Sequence, residues 1–220
     1  MTFSILAFDE ETGICGGAAA TGSLCVGGWV LRGDSRSGMS ASQGTSPSTL
    51  WGEDVLEHMR NGKSARAAVD AVVGPDGGRA HRQLAALDLA GTTAVFTGCD
   101  SIAEAGQRQG PKVVVSGNML KTPAVLDAML DGYLSATGAF ATRLLRALEA
   151  GHAAGSDSRG LLSAALLVVG RDMAPLSLRI DWSETPVPAL WQLYDKSQAS
   201  PYADWLQAVP TRNDPHRSEM

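Results

Sequence analysis

Cysteine, histidine and clustered positive charge are all scarce in this sequence. Three cysteines, Cys15, Cys25 and Cys99, form an odd and widely spaced set. That excludes a disulfide framework or a cysteine zinc site and fits reduced thiols in a cytoplasmic protein. The four histidines, His58, His81, His152 and His216, show no His-x-x-x-His spacing. No Gly-x-Ser-x-Gly elbow occurs, so neither a helical metal pair nor an α/β-hydrolase serine is expected. Lysine and arginine number 18 against 23 acidic residues, a net charge of −5, and they are scattered. Without a basic stripe to neutralise phosphates, a nucleic-acid partner is not expected. No apolar run approaches the roughly 20 residues of a membrane helix. The first residues lack a basic n-region, and Asp9-Glu10-Glu11 interrupts their apolar stretch, so they do not read as a signal peptide.

What the chain does have is enough apolar residue for one sizeable core: 44% of 220 residues. Thr2–Phe8 reads as a strand, and Asp9–Gly13 as the turn of a hairpin leading into Ile14–Ala20, a second strand of very small residues. Leu24–Leu31 and Ser37–Gln43 read as further strands, making the first stretch a meander of one antiparallel sheet. Helical periodicity follows. Trp51, Val55 and Met59 recur on a segment opened by Ser48 or Thr49 and stopped by Asn61-Gly62, and Ser64 caps a second helix through Val73. Strands are expected near 81–89 and 92–97, with an apolar run at 113–115 ending in Ser116-Gly117-Asn118. Val125, Met129 and Tyr133 mark one further helix; Phe140, Leu144 and Leu148 mark another. The loop 154–160 leads into a strongly apolar strand, 163–169, with 176–181 as its antiparallel neighbour. A last helix spans about 187–198, and 202–206 docks as a final turn. Strand blocks separated by helix pairs predict a layered α+β domain over residues 1–209, with 210–220 a polar, flexible tail.

The most informative residue is Thr2. Removal of Met1 would place a hydroxyl and a free α-amine on one residue. The amine titrates at about 7.7–8.0 when unperturbed, so it can serve as the base for its own hydroxyl. The plain alternative is a small second residue tolerated by methionine removal.

Several short motifs, taken in order, resemble one bacterial family. They are Met1-Thr2-Phe3-Ser4-Ile5 before Asp9 and the Thr12-Gly13 turn, then Phe96-Thr97-Gly98 and Ser116-Gly117-Asn118-Met119-Leu120. Gly155-Ser156-Asp157-Ser158-Arg159-Gly160 and Ser163-Ala164-Ala165-Leu166 complete the set. The resemblance is to the family called domain of unknown function 1028, with an Ntn-hydrolase-like fold, and runs from Thr2 to about Tyr194. It implies a four-layer αββα sandwich, two antiparallel sheets packed face to face between helix layers. In the wider superfamily an amino-terminal Thr, Ser or Cys attacks an amide carbonyl, which lands on Thr2. Proteasome-type members carry a lysine after the second strand, where this chain has Thr21-Gly22-Ser23.

Around that nucleophile, Asn118 is the candidate oxyanion donor, placed at a strand end and matching the family's Gly-Asn-x-Leu motif; a left-handed turn is its structural alternative. Asp157 would orient or hold charge on the Thr2 amine. Arg159 would hold a substrate carboxylate, which its planar fork fits. Gln43 and Ser163 complete the candidate substrate contacts; packing is the plain reading of Ser163, and an outward edge position that of Gln43. Cys25, between Leu24 and Val26, reads as a small buried hydrophobe. The expected function is an amidohydrolase acting on a small amide metabolite, with no metal or organic cofactor. The alternative is a catalytically silent scaffold that binds a small molecule. Five tryptophans (29, 51, 182, 191 and 205) suggest subunit contacts, hence a homo-oligomer.

Overall fold

The computed structural model describes residues 2–156 and 159–218. Its ten strands are β1 (Thr2–Asp9), β2 (Ile14–Thr21), β3 (Leu31–Asp34), β4 (Gly38–Gly44), β5 (Arg82–Asp88), β6 (Thr93–Thr97), β7 (Gly106–Gly110), β8 (Val113–Asn118), β9 (Ser163–Val169) and β10 (Leu176–Ile180). They form two sheets, ordered β10-β9-β2-β1-β8-β7 and β3-β4-β5-β6, with every pairing antiparallel.

Strand parity builds the layers. On β1, Phe3, Ile5 and Ala7 point away from the second sheet, into a core shared with α4 (Ala124–Ser135), α5 (Phe140–Ala153) and α6 (Pro186–Ser197). Leu6 points the other way, meeting Met39, Ala41, Ala85 and Leu87 of the second sheet. The outer face of that sheet, Leu84, Ala86 and Ala94, packs on α2 (Thr49–Arg60) and α3 (Ala65–Val73). Helices therefore cover both outer faces of two stacked antiparallel sheets, and the α+β sandwich expected from the sequence is present.

Local chemistry explains most boundaries. Ser48 Oγ accepts from Trp51 N at 3.3 Å and Ser64 Oγ from Ala67 N at 3.3 Å, so the serines cap α2 and α3. In β2 a Cβ on Gly17 would lie 2.7 Å from Leu6 Cδ2 and 2.8 Å from Ile5 O, so the small residues there let neighbouring elements close in.

Three expectations are corrected. Residues 24–31 are not a strand: Cys25 takes a left-handed backbone (φ 60°) and Val26–Trp29 form a helical turn, α1. Ser163 Oγ accepts from Val26 N at 3.1 Å, and Gly27 lies so close to Ala165 and Arg179 that a Cβ would reach 2.8 Å from each. Cys25 is accordingly half-buried rather than a core residue. This turn carries the chain from one sheet to the other, so the four early strands are not one meander. Strand β7 went unread because Gly106-Gln107-Arg108-Gln109-Gly110 has no apolar alternation. The segment after Pro210, read as a loose tail, has specific partners. Asn213 N donates to Arg171 O at 3.1 Å, and buried Thr211 donates to Asp172 at 3.2 Å.

Candidate functional site

Between the sheets the side chains change character along the strands. One end of this layer is apolar: Leu6, Cys15, Met39, Leu87 and Val114. At the other end the same parity presents Thr2 and Ser4 on β1, Thr21 on β2, Ser116 and Asn118 on β8, Ser163 on β9, Gln43 on β4 and Gln83 on β5. All of these are buried. Register fixes the rows. Thr2 stands across from Thr21 on one side and Asn118 on the other, while Gln43 stands across from Gln83 on the facing sheet.

Thr2 is 7% exposed, and its hydroxyl donates to Thr21 Oγ1 at 3.1 Å; Thr21 Oγ1 also accepts from Ser23 N at 3.4 Å. Deeper in, Ser4 and Ser116 share a hydrogen bond of 3.1 Å. Thr2, Thr21 and Gln43 contribute to the floor of an open cleft of about 530 Å³. Leu24, Trp29 and Met119 form apolar wall, and Ser23, Thr45 and Arg159 are polar lining. Gly44 shapes this lining: its φ is 134° and a Cβ would come 2.5 Å from His81 O. Met119, not Asn118, takes the left-handed conformation (φ 60°) that ends β8, which leaves Asn118 extended and inward-facing.

The three buried amides form one unit. Gln83 Nε2 lies 3.1 Å from both Gly106 O and Gly117 O and 2.9 Å from Thr97 Oγ1. Peptide carbonyls only accept, so the nitrogen must face them and Oε1 must face the other way. There Oε1 accepts from Gln43 Nε2 at 2.6 Å and Asn118 Nδ2 at 3.3 Å. Gln43 Oε1 and Asn118 Oδ1 are left buried without hydrogen-bond partners.

The fold thus gathers Thr2, Gln43 and Arg159 around one cleft, with Asn118 beside Thr2 on the neighbouring strand. Ser163 is not brought to the cleft. Its hydroxyl donates to Ser23 O at 2.7 Å and accepts from Val26 N, so it clamps the loop behind the wall. Asp157 lies outside the described residues. Gln83 and the hydroxyl partner Thr21 were missed; a glutamine on the inward parity of Gln83, Ala85 and Leu87 was the available signal for the first.

A larger cavity of about 620 Å³ lies at the other end, between Gly33-Asp34-Ser35, Gly170 and the segment from Pro210 to Pro215. Burial pushes the Asp34 carboxyl up, but hydrogen bonds from Arg36 and the charges of Arg60 and Arg36 outweigh it and hold it below the ordinary 3.8. Asp34 is thereby committed to structure, and the cleft at Thr2 is the better candidate. Among the described residues, no three His, Cys, Asp or Glu side chains gather as a metal site, and no helix is long and apolar enough to cross a membrane.

Comparison with known proteins places this geometry. A family described as one of unknown function, DUF1028, matches residues 2–190. The chain belongs to the DUF1028 family. The crystal structure of protein SPO2555 from Silicibacter pomeroyi, also identified with DUF1028, is 51% identical. The match covers 100% of this chain and 99% of that one, with a TM-score of 0.96. No curated protein matches. The DUF1028 match begins at Thr2 and includes both strands that flank it, β2 and β8.

Proposed function

We propose that this protein is an N-terminal-nucleophile amidohydrolase that cleaves a C–N amide bond of a small metabolite. The observation that carries the reading is the placing of Thr2, the first residue of β1, with its hydroxyl on the floor of the cleft and flanked by a buried amide network. With Met1 removed, the α-amine takes the hydroxyl proton as Oγ1 attacks the carbonyl carbon. The tetrahedral oxyanion forms next to Asn118, whose amide has one hydrogen bound to Gln83 and one left to donate. Collapse breaks the C–N bond, the amine passes its proton to the leaving nitrogen, and water then hydrolyses the threonine ester. Arg159 lies where it can hold a carboxylate at the far end of the substrate. The residue beside Thr2 on β2 is Thr21 rather than a cation, so the amine serves as the base. Asp157 is proposed as its orienting carboxylate on sequence grounds.

The competing reading is a catalytically silent scaffold. It draws on Trp29, Trp182 and Trp205, each about half or more exposed, as contacts in a homo-oligomer or for a bound molecule. The proposed setting is cytoplasmic in either case. Intact mass separates the readings first, because a retained Met1 removes the free amine and favours the scaffold. A panel of small amides assayed with the protein and with Thr2→Ala then decides. Hydrolysis by the first and none by the second is the expected result; equal rates would move the chemistry to another residue.

A further inference from the structure

The polarity of the amide network bears on the substrate. Gln83 is completely buried, and two peptide carbonyls dictate which way its amide points. That orientation passes to its neighbours. Gln43 must turn its nitrogen to Gln83 Oε1, and its own Oε1, on a side chain at the cleft floor, is then an acceptor without a donor. Asn118 Oδ1 is a second such acceptor on the strand directly across from Thr2. A buried acceptor with no partner is costly, and the cost is relieved when a ligand supplies an N–H. The uncommitted oxygens therefore select for nitrogen-bound hydrogen. A group that offers only oxygen or carbon there leaves them unsatisfied.

We infer that the cleft takes a primary carboxamide, with its –NH2 directed to Gln43 Oε1, which makes Gln43 the residue that sets substrate class. This deepens the amidohydrolase reading. Hydrolysis would convert R–CO–NH2 and water into R–COO⁻ and ammonium, the nitrogen leaving from the position that the acceptors hold.

Binding tests the inference without requiring turnover. Thr2→Ala protein is titrated calorimetrically with a homologous series of ω-carbamoylalkanoates and with the matching methyl ketones, in which CH3 replaces NH2 at nearly the same shape. At the chain length that binds best, the amide is expected to bind about tenfold or more tightly than its ketone. Gln43→Met, which keeps length but removes the acceptor, is expected to bring the two affinities together. Equal affinities in Thr2→Ala, a tighter ketone, or no amide binding at any length overturns the inference. So does a preference for the amide that survives in folded Gln43→Met. If Gln43→Met does not fold, the amide-to-ketone ratio in Thr2→Ala still decides. Amide selectivity without hydrolysis by the unsubstituted protein would sink the nucleophile reading and leave this one standing.

Discussion

The two ends of the layer between the sheets are built on the same strands with the same side-chain parity, yet they do opposite things. At one end Leu6, Met39 and Leu87 are fully buried among apolar neighbours. Burying each such side chain contributes about 1.5–3 kcal/mol. At the other end, four rungs or fewer along the same ladders, sit Thr2, Gln43, Gln83 and Asn118. There each hydrogen bond nets about 0.5–1.5 kcal/mol, while each unpartnered acceptor costs about 1–3 kcal/mol. The polar end cannot be what holds the sheets together. It is kept in place by the ladders and by the apolar end, which frees its side chains to be chosen for chemistry.

The contrast breaks most decisively at Thr2. Thr2→Ala is expected to lower any amide hydrolysis by about 10³-fold or more while leaving the melting temperature nearly unchanged. Retention of Met1 should be as damaging, because it turns the base into a peptide nitrogen. Thr2→Ser should keep part of the rate, since only the methyl that restrains χ1 is lost. Full rate with Met1 in place would show that the polar end is not organised around this residue.

The apolar end should answer in stability instead. Leu87→Ala is expected to cost about 2–5 kcal/mol in urea unfolding, the range for cavities in a packed core. A cost below 1 kcal/mol, by that same scale, would mean that the sheets are held elsewhere. Gln83→Met lies between the two: it removes one donor and one acceptor from the network and should destabilise by about 1–3 kcal/mol. A neutral result would show that the amide network has no structural weight.

The smallest effect concerns Cys15, at the apolar end. Burial, with a lesser contribution from Asp34, pushes its thiol from 9.0 up to about 12. The folded state therefore holds a proton that the unfolded state releases above pH 9.0, so this stabilisation is complete below 9.0 and is lost as pH rises towards 12. At neutral pH a thiol reagent should label exposed Cys99 quickly and Cys15 only on unfolding. Rapid labelling of Cys15 in the native protein would contradict a closed apolar end.

Much of this could be read from the chain. Phe3, Ile5 and Ala7 alternate as a half-shared strand must, and Ser48 and Ser64 stand where caps belong, because these signals are local. Gln43 was legible as a polar wall for the same reason. The crossing at α1 was not, since it depends on Ser163 and Arg179, far along the chain. The amide network escaped too: Gln43, Gln83 and Asn118 come from three strands of two sheets, and only pairing register joins them. Ser163 shows the reverse error. Its position at the start of β9 was right, but its hydroxyl is taken up by Ser23 and Val26.

Thr2 heads a strand that runs through the middle of the six-stranded sheet, with β2 on one side and β8 on the other. Strand ends usually fray and are open to trimming enzymes; this one is shut in by its neighbours. β2 is made immediately after β1, but β8 follows only after the whole second sheet has been synthesised. Trimming of Met1 thus becomes a matter of timing, open while the nascent strand is unpaired and closed once β8 docks. Folded protein that retains Met1 should resist a methionine aminopeptidase that readily trims a synthetic peptide of the first strand. Equal trimming of both would show that the end of β1 opens in the native state.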